Sequence, residues 1–349
     1  MKKVYLHIGM HKTGTTAIQM ALNGMVHEAA KYAQLSHANH SVPLMTIFQK
    51  HPYYHWKQFN TSEEQVKQYG LEFLSDLKAE ISCSEEQALV LSAEDVSLLA
   101  NDDKQKLVNF FRDFGVDLNV VCLLRDPVSY VGSALQQRIK GGLVQLTEIS
   151  PRYERRLRYF KQAIDPQKFM VRDYAAVCSE AGDVVRGFIG LLGLPFEVEP
   201  GPKRNKSFSI LGTRIVYMLN QIFDYSKLTK EQNFARRRLL QCINKLTRND
   251  VSDSAPNWDI ASILFPEDID EELAYVSEAF GIEYSLTRQR GSHDDVYDFL
   301  KLPDSFDAAS LCSGINSHFA FEFSETDCES LLRLSMEKLT NEEHTKLQT

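Results

Sequence analysis

The start of the chain combines a strand pattern, a loop bounded by two glycines and a helix pattern, and this order constrains the fold most. Residues 4–8 (VYLHI) are rich in strand-forming side chains and end at Gly9, which predicts a strand. Apolar residues then recur at helical spacing from Thr15 to about Met25, which predicts a helix. The loop 9–14 therefore leads into a helix start, where free backbone N–H groups and the helix dipole favour an anion.

Residues 9–16 (GMHKTGTT) have the glycine spacing of a nucleotide-binding P-loop but a different lysine position. In a P-loop, a lysine and a serine or threonine follow the second glycine, where they reach the terminal phosphates and hold magnesium. Here Thr15 and Thr16 follow Gly14, and Lys12 precedes it by two residues. A nucleotide or small-molecule kinase stays an alternative, and the missing Gly-Lys-Ser/Thr argues against it.

Further apolar runs predict a parallel sheet. Continuous apolar stretches within 88–92 and 119–124, together with a further strand pattern at 168–172, alternate with helix patterns, as in a parallel sheet that is covered on both faces. Residues 27–70 show no clear period and are expected to be irregular. After about residue 205 the chain is mainly helical in pattern. We therefore predict an α/β fold, with a P-loop-type parallel sheet flanked by helices and a mainly helical C-terminal region.

Charge is distributed unevenly along the chain. The 39 basic and 47 acidic residues give a net charge of −8, and 12 acidic against 4 basic side chains lie within 291–349. We expect residues 1–290 to form the α/β domain and 291–349 to form an acidic segment with a helix near 328–338. This segment is interpreted as an interaction or oligomerisation element. No nucleic-acid partner is expected, because that would require a large basic surface.

The spacing of the cysteines and histidines argues against disulfide bonds and metal sites. The six cysteines form no C-x-x-C and no close pairs, which is typical of reduced thiols in the cytoplasm. No apolar run approaches the length of a transmembrane helix, so we expect a cytoplasmic enzyme without a membrane segment. The histidines at 37, 40, 51 and 55 lack a neighbouring cysteine or carboxylate that would complete a ligand set, so no metal site is predicted.

The loop resembles the 5′-phosphosulfate loop of sulfotransferases that use 3′-phosphoadenylyl sulfate (PAPS). The stretch 7–16 (HIGMHKTGTT) is most similar to bacterial members and to carbohydrate sulfotransferases. The resemblance implies that the 5′-phosphosulfate is bound by Lys12, Thr13, Gly14, Thr15 and Thr16. It also implies that Lys12 stabilises the charge on the leaving phosphate, which makes a metal unnecessary.

A second motif agrees with the same family. Arg125 ends a predicted strand in the run VCLLRDP, and Ser133 follows eight residues later. An arginine at this edge of an open α/β sheet presents a planar fork of donors to an anion. In the family, the arginine and serine bind the 3′-phosphate of the nucleotide. The segment 203–207, with Arg204, is similar to a basic segment of bacterial members that closes over the nucleotide; a solvated basic turn is the alternative.

Transfer to a hydroxyl or amine also requires a general base. Carbohydrate members of the family use a glutamate, and cytosolic members use a histidine just after a strand. Glu94 follows the predicted strand 88–92 and is the candidate base; His11 and His7 are alternatives. The neighbouring Asp95 is the better candidate for a helix N-cap.

The adenine and acceptor contacts are less constrained. Ala17 stands where cytosolic members carry an aromatic residue on adenine, and Tyr174 is a candidate replacement. The aromatic run 51–56 and the basic segment 151–172 are candidate contacts for a sugar or an anionic glycan, with core packing and a solvated face as the alternatives.

The sequence thus predicts a sulfotransferase that moves a sulfuryl group from PAPS to a hydroxyl or amine acceptor, with a carbohydrate as the expected acceptor. A non-catalytic nucleotide- or glycan-binding protein on the same scaffold is a further alternative. The joint presence of Lys12, Arg125 and Ser133 argues against it.

Overall fold

The chain forms a mixed α/β structure in the computed structural model, which describes residues 2–56, 61–83, 87–198, 208–247, 258–286 and 289–348. The strands are β1 Lys3–His7, β2 Val26–His27, β3 Ala30–Tyr32, β4 Ala88–Ser92, β5 Asp117–Leu124 and β6 Phe169–Asp173. The helices up to β6 are α1 Thr15–Leu22, α2 Ser41–Phe48, α3 Tyr53–Trp56, α4 Glu63–Cys83, α5 Asn101–Asp113, α6 Pro127–Lys140 and α7 Tyr153–Ala163. Those after β6 are α8 Tyr174–Ala181, α9 Val184–Leu192, α10 Ile210–Ile222, α11 Lys230–Leu246, α12 Ile269–Phe280, α13 His293–Leu300, α14 Ala308–Phe319 and α15 Cys328–Gln348.

The six strands form one sheet in the order β2-β3-β4-β1-β5-β6. All neighbouring pairs are parallel except β2 and β3. Tyr5 in β1 lies opposite Val90 in β4 and Asn119 in β5, so β1 occupies the middle of the sheet. The predicted parallel sheet with flanking helices is therefore confirmed.

Helices cover the sheet on both faces. On one face, Tyr5, Val90 and Val121 pack with α1 and α9 in a core that includes Ile18 and Phe188. The alternate side chains of β5 point to the other face, where α5 packs on β5 and α7 packs on α5. Because the helices that follow β1 and β4 lie on opposite faces, a crevice opens between the carboxyl ends of these two strands. In open α/β sheets, ligands bind at such a crevice.

The chain divides into two compact units. The first comprises Met1–Pro127, Pro151–Arg204 and Asp268–Ser285, and contains the sheet. The second comprises Val128–Ser150, Asn205–Glu267 and Leu286–Thr349, and its described elements are helical. The acidic residues 291–349 lie in this second unit, whose last helix is α15. The sequence-based boundary at residue 290 and the role of the acidic segment stay predictions.

Residues 27–70 are more regular than the sequence predicts. They contribute the edge strand β2, its neighbour β3 and three helices, and the side chains of Tyr32 and Leu44 are completely buried. His40 is also buried: its Nδ1 accepts a hydrogen bond from the Ser92 backbone N–H, and its Nε2 donates to the Ala33 carbonyl. Burial lowers the pKa of His40 to about 4, so this histidine is a neutral packing residue.

No helix in the described ranges is both long enough and apolar enough to span a bilayer.

Candidate functional site

The glycine-bounded loop lies at the carboxyl end of the central strand. It first continues the pairing of β1 with β5, because Ile8 and Met10 donate their backbone N–H groups to the carbonyls of Val121 and Leu123. Lys12 and Gly14 then adopt left-handed backbone conformations, with φ of 69° and 73°, whereas Thr13 between them does not. Alternating handedness turns successive N–H groups towards one side and forms an anion-binding concavity.

The start of α1 adds further donors. Gly14 is the N-cap, and among the described residues no side chain caps this end of the helix. Helix N-termini without a capping group leave backbone N–H groups available to an anion. The loop and the first turn of α1 therefore present the donor arrangement that the sequence predicts for the segment 12–16.

The three threonines of this segment have different environments. Thr13 is buried, and its hydroxyl donates to the Met10 carbonyl at 2.5 Å, which closes the loop on itself. Thr15 is also buried, and its hydroxyl donates to the same Met10 carbonyl at 3.4 Å. Thr16 is exposed. Thr13 and Thr15 thus fix the shape of the loop, and Thr16 presents its hydroxyl at the surface.

Arg125 contacts the loop directly, which brings the two sequence motifs together. Its Nη1 donates a hydrogen bond to the Lys12 carbonyl at 2.5 Å. The guanidinium carbon lies 5.8 Å from the ring centroid of Tyr174, the candidate adenine contact. The Arg125 carbonyl accepts a hydrogen bond from the buried Tyr153 hydroxyl at 2.6 Å. The arginine is therefore held from both its side chain and its backbone.

Lys12 lies in an environment that disfavours its own charge. Burial lowers the pKa of the Lys12 ammonium, the neighbouring Arg125 lowers it further, and Glu94 opposes the shift. Two half-buried cations next to one another repel, and an anion between them would relieve that repulsion. The electrostatics of the loop therefore favour a negatively charged ligand.

Glu94 begins a 3₁₀ helix, Glu94–Leu98, directly after β4. Burial raises the pKa of the Glu94 carboxyl group, and Asp95 also raises it. His11, the Thr15 hydroxyl and Lys12 act in the opposite direction. A carboxyl group with a raised pKa that lies beside the loop lysine is a stronger base than an exposed glutamate, which suits it to accept a proton.

Asp95 does not act as the helix N-cap that the sequence suggests. The 3₁₀ helix begins one residue earlier, and within the described part of the chain no side chain caps it. Instead, the Oδ1 atom of Asp95 lies 2.8 Å from the Nε2 atom of His11, within hydrogen-bond distance. The alternative role of this carboxylate arises because the loop after β1 lies beside the turn after β4.

Both histidines that the sequence offers as alternative bases contact other side chains of the protein. His7 is completely buried against Phe188, its Nδ1 lies 2.9 Å from the Ser92 hydroxyl, and burial lowers its pKa to about 3. Its Nε2 has no partner among the described residues. His11 contacts Asp95 through one ring nitrogen and the Arg156 guanidinium through the other. This geometry favours Glu94 over either histidine.

Ser133 and Arg204 are the two remaining predicted nucleotide contacts. Ser133 is on α6 and belongs to the second unit. Arg204 lies outside the described residues. For both residues, the role in nucleotide binding stays a prediction from the resemblance.

Three residues near the loop were missed from the sequence. Arg156 and Tyr153 lie in the basic segment 151–172, which the sequence singles out only for its charge. Tyr284, more than 150 residues after Arg125, stacks on Tyr153 with 6.2 Å between ring centroids and donates a hydrogen bond to Asp173. No local pattern marks these residues, because their partners are set by tertiary packing.

The aromatic run 51–56 contributes at least one packing residue. The Trp56 indole donates to the Thr46 hydroxyl and lies 5.2 Å from Tyr69 and 6.5 Å from Phe73, measured between ring centroids. These contacts fix α3 against α4, which agrees with the packing alternative for this tryptophan.

Across the described residues, no three His, Cys, Asp or Glu side chains lie together as metal ligands. The chain matches no protein-family model, and no curated protein matches it.

Proposed function

We propose that this protein is a PAPS-dependent sulfotransferase that transfers a sulfuryl group to a hydroxyl or amine of a carbohydrate. The observation that carries the proposal is the hydrogen bond from Arg125 to the Lys12 carbonyl. The resemblance assigns these two residues, 113 positions apart, to opposite ends of one nucleotide, and they lie together at the crevice of the sheet. The central position of β1 and its parallel neighbours also support a P-loop-type fold.

The proposed reaction needs three groups of the loop region. The acceptor oxygen or nitrogen attacks the sulfur, the bond from sulfur to the bridging oxygen of the 5′-phosphate breaks, and adenosine 3′,5′-bisphosphate leaves. Lys12 and the N–H groups at the start of α1 stabilise the charge that develops on the leaving phosphate. Glu94 accepts the proton of the acceptor.

The environment of Glu94 suits this role. A base must be deprotonated in the resting enzyme, and the neighbouring Lys12 ammonium favours the carboxylate. Burial and Asp95 make the same carboxylate a stronger base than an exposed glutamate. A glutamate base is also the choice of the carbohydrate members that the loop sequence resembles, which supports a carbohydrate acceptor.

The test is calorimetric titration with adenosine 3′,5′-bisphosphate, ATP and 5′-AMP. We expect the wild type to prefer the bisphosphate, because only that ligand offers a 3′-phosphate to Arg125. A charge-assisted contact is worth about 2–3 kcal/mol, so Arg125→Ala should reduce the preference for the bisphosphate over 5′-AMP about 30- to 150-fold. Arg158→Ala is the matched control, because this arginine lies on the exposed face of α7, where it pairs with Glu154.

Other outcomes would redirect the assignment. Equal or tighter binding of ATP, together with magnesium-dependent turnover, would replace the sulfotransferase with a kinase. Selective binding of the bisphosphate without transfer from PAPS to any of a broad panel of glycans, phenols and amines would indicate a binding protein on the same scaffold.

A further inference from the structure

We propose that His11 is a positioning residue, clamped between Asp95 and Arg156 so that the adjacent Lys12 keeps its left-handed backbone conformation. The inference deepens the proposed function and rests on it for the role of Lys12 in turnover. The clamp itself follows from the contacts of His11.

The backbone of Lys12 requires support. Its φ of 69° lies in the left-handed region, where a residue with a Cβ atom is disfavoured. The Arg125 guanidinium holds Lys12 on its carboxyl side by binding its carbonyl. On its amino side, the chain is held by the side chain of His11, whose Nε2 lies 2.8 Å from Asp95. The conformation of Lys12 is therefore fixed from both ends.

Arg156 determines which nitrogen of His11 carries the proton. A guanidinium group only donates hydrogen bonds, and its Nη1 lies 3.4 Å from His11 Nδ1. The Nδ1 atom must therefore be the unprotonated acceptor, which leaves the proton on Nε2, where it is donated to the Asp95 carboxylate. Both ring nitrogens are thus engaged, and His11 has no lone pair available to an acceptor substrate.

The arginine is rigidly placed. Arg156 is 5% exposed, its Nε donates to the Pro151 carbonyl at 2.8 Å, and its Nη1 also donates to the Ser97 hydroxyl at 2.9 Å. The Ser97 hydroxyl in turn donates to the Glu94 carbonyl. One buried side chain therefore connects the loop of Lys12 with the turn of Glu94.

This connection through Arg156 explains how the loop of Lys12 and the turn of Glu94 keep a fixed distance from one another. Lys12 and Glu94 follow different strands, and both are half-buried. Asp95 and Ser97 both belong to the turn that begins with Glu94, and both lie within the network around His11. Loss of the imidazole would release Lys12 from this turn, and a shift of about 1 Å is enough to cost roughly 100-fold in rate.

The first test is nitrogen-15 NMR of the histidine rings in the wild-type protein. We expect His11 to show one neutral tautomer with the proton on Nε2, whereas the exposed His293 serves as an internal reference for a solvent-exposed ring. A proton on Nδ1, or rapid exchange between tautomers as in His293, would overturn the clamp. This measurement needs no nucleotide, so it decides the clamp even if the protein neither binds adenosine 3′,5′-bisphosphate nor transfers sulfate.

The second test compares His11→Gln with His11→Ala in sulfuryl transfer. Glutamine keeps an N–H near the Nε2 position and cannot act as a base at neutral pH. We expect His11→Gln to retain kcat within about threefold and His11→Ala to lose kcat roughly 10- to 100-fold, with an unchanged pH profile in both. Equal loss in both variants, with loss of the acidic limb of the profile, would make His11 the base. His37→Gln is the matched surface control.

Discussion

Gly9 and Glu94 approach one another so closely that no side chain fits between them. A Cβ atom built on Gly9 would lie 2.8 Å from Cβ and 3.0 Å from Cα of Glu94. Gly9 also has φ of 83°, in the left-handed region. The first glycine of the loop therefore serves two purposes, since it turns the chain away from β1 and allows the candidate base to lie against it.

We expect Gly9→Ala to destabilise the protein more than Gly24→Ala. Both positions have nearly the same φ, 83° and 82°, so both substitutions carry the left-handed penalty of about 1–2 kcal/mol. Only Gly9 adds a clash, worth about 1–3 kcal/mol, because a Cβ atom on Gly24 meets no described atom within 4 Å. Urea unfolding of the two variants measures the difference. Equal losses would show that Glu94 moves aside freely.

Glu94→Gln should remove the acidic limb of the pH–rate profile. In the proposed mechanism, activity requires the carboxylate, so kcat is expected to fall as the pH drops through the pKa of Glu94. Burial raises that pKa, which places the limb above the ordinary pKa of a glutamate. The amide cannot take a proton, and we expect a loss of about 10²- to 10⁴-fold in kcat.

Glu64→Gln, on the exposed side of α4, is the control for Glu94→Gln. A Glu94→Gln enzyme that keeps both its rate and its acidic limb would exclude this carboxylate as the base. Binding of adenosine 3′,5′-bisphosphate should change little in the same variant, because Glu94 is proposed to act on the acceptor.

Tyr153→Phe should loosen Arg125 without removing it. The buried hydroxyl of Tyr153 donates to the Arg125 carbonyl, and its loss leaves that carbonyl without this donor. We expect a loss of about 1–2 kcal/mol in the free energy of unfolding and a smaller preference for the bisphosphate over 5′-AMP. Tyr159→Phe, at a half-buried position on the same helix, should have neither effect. An unchanged nucleotide preference in Tyr153→Phe would show that Arg125 keeps its place without this bond.

Glu272 should make the stability of the protein depend on pH. Burial raises the pKa of this glutamate to about 7, Asp268 also raises it, and the Tyr153 backbone, Arg156 and Arg152 act against the shift. Between about pH 4.5 and 7, the folded state then binds more protons than the unfolded state. Stability contributed by this group is therefore present at low pH and is lost as the pH rises towards 7.

We expect Glu272→Gln to be about 2 kcal/mol more stable than the wild type above pH 7 and equal to it below about pH 4.5. The amide oxygen can still accept the hydrogen bond that Glu272 receives from the Glu154 backbone N–H. Urea unfolding between pH 4.5 and 8 measures the effect, and the exposed Glu271→Gln on the same helix is the control. Parallel stability curves for the wild type and Glu272→Gln would contradict the assignment.

The sequence predicts the central strands β4 and β5 because they are buried on both faces and form nearly continuous apolar runs, which are visible without knowledge of their partner strands. The predicted strands at 88–92, 119–124 and 168–172 correspond to β4, β5 and β6. Capping signals were equally local: Asp183 caps α9 through two backbone N–H groups, and Gly193 ends the helix with φ of 60°.

The missed elements have weaker local signals. β2 and β3 contain two and three residues, too few to show a period of two. In α4, the buried residues Val66, Phe73, Leu77 and Ile81 form a narrow stripe among charged and polar side chains. Such a helix is stabilised mainly by packing against the rest of the protein, and its own sequence does not show what it packs against.

The candidate site divides in the same way. Lys12, Glu94 and Arg125 follow strands, and the carboxyl ends of parallel strands meet at one edge, so their convergence is predictable. Arg156 and Tyr153 reach the site from α7, in the helical layer that covers the sheet. The way this helix packs over the sheet determines which of its side chains contact the site. Sequence spacing carries no information about that choice.

The contact between His11 and Arg156 also has a consequence for the order in which the protein forms. The two residues are 145 positions apart. A contact between residues this distant in sequence costs loop-closure entropy before it stabilises the folded chain. During synthesis, the glycine loop emerges long before α7 exists to hold it. We therefore expect the proposed anion site to form late in folding, so that affinity for the proposed nucleotide would report whether the first unit is complete.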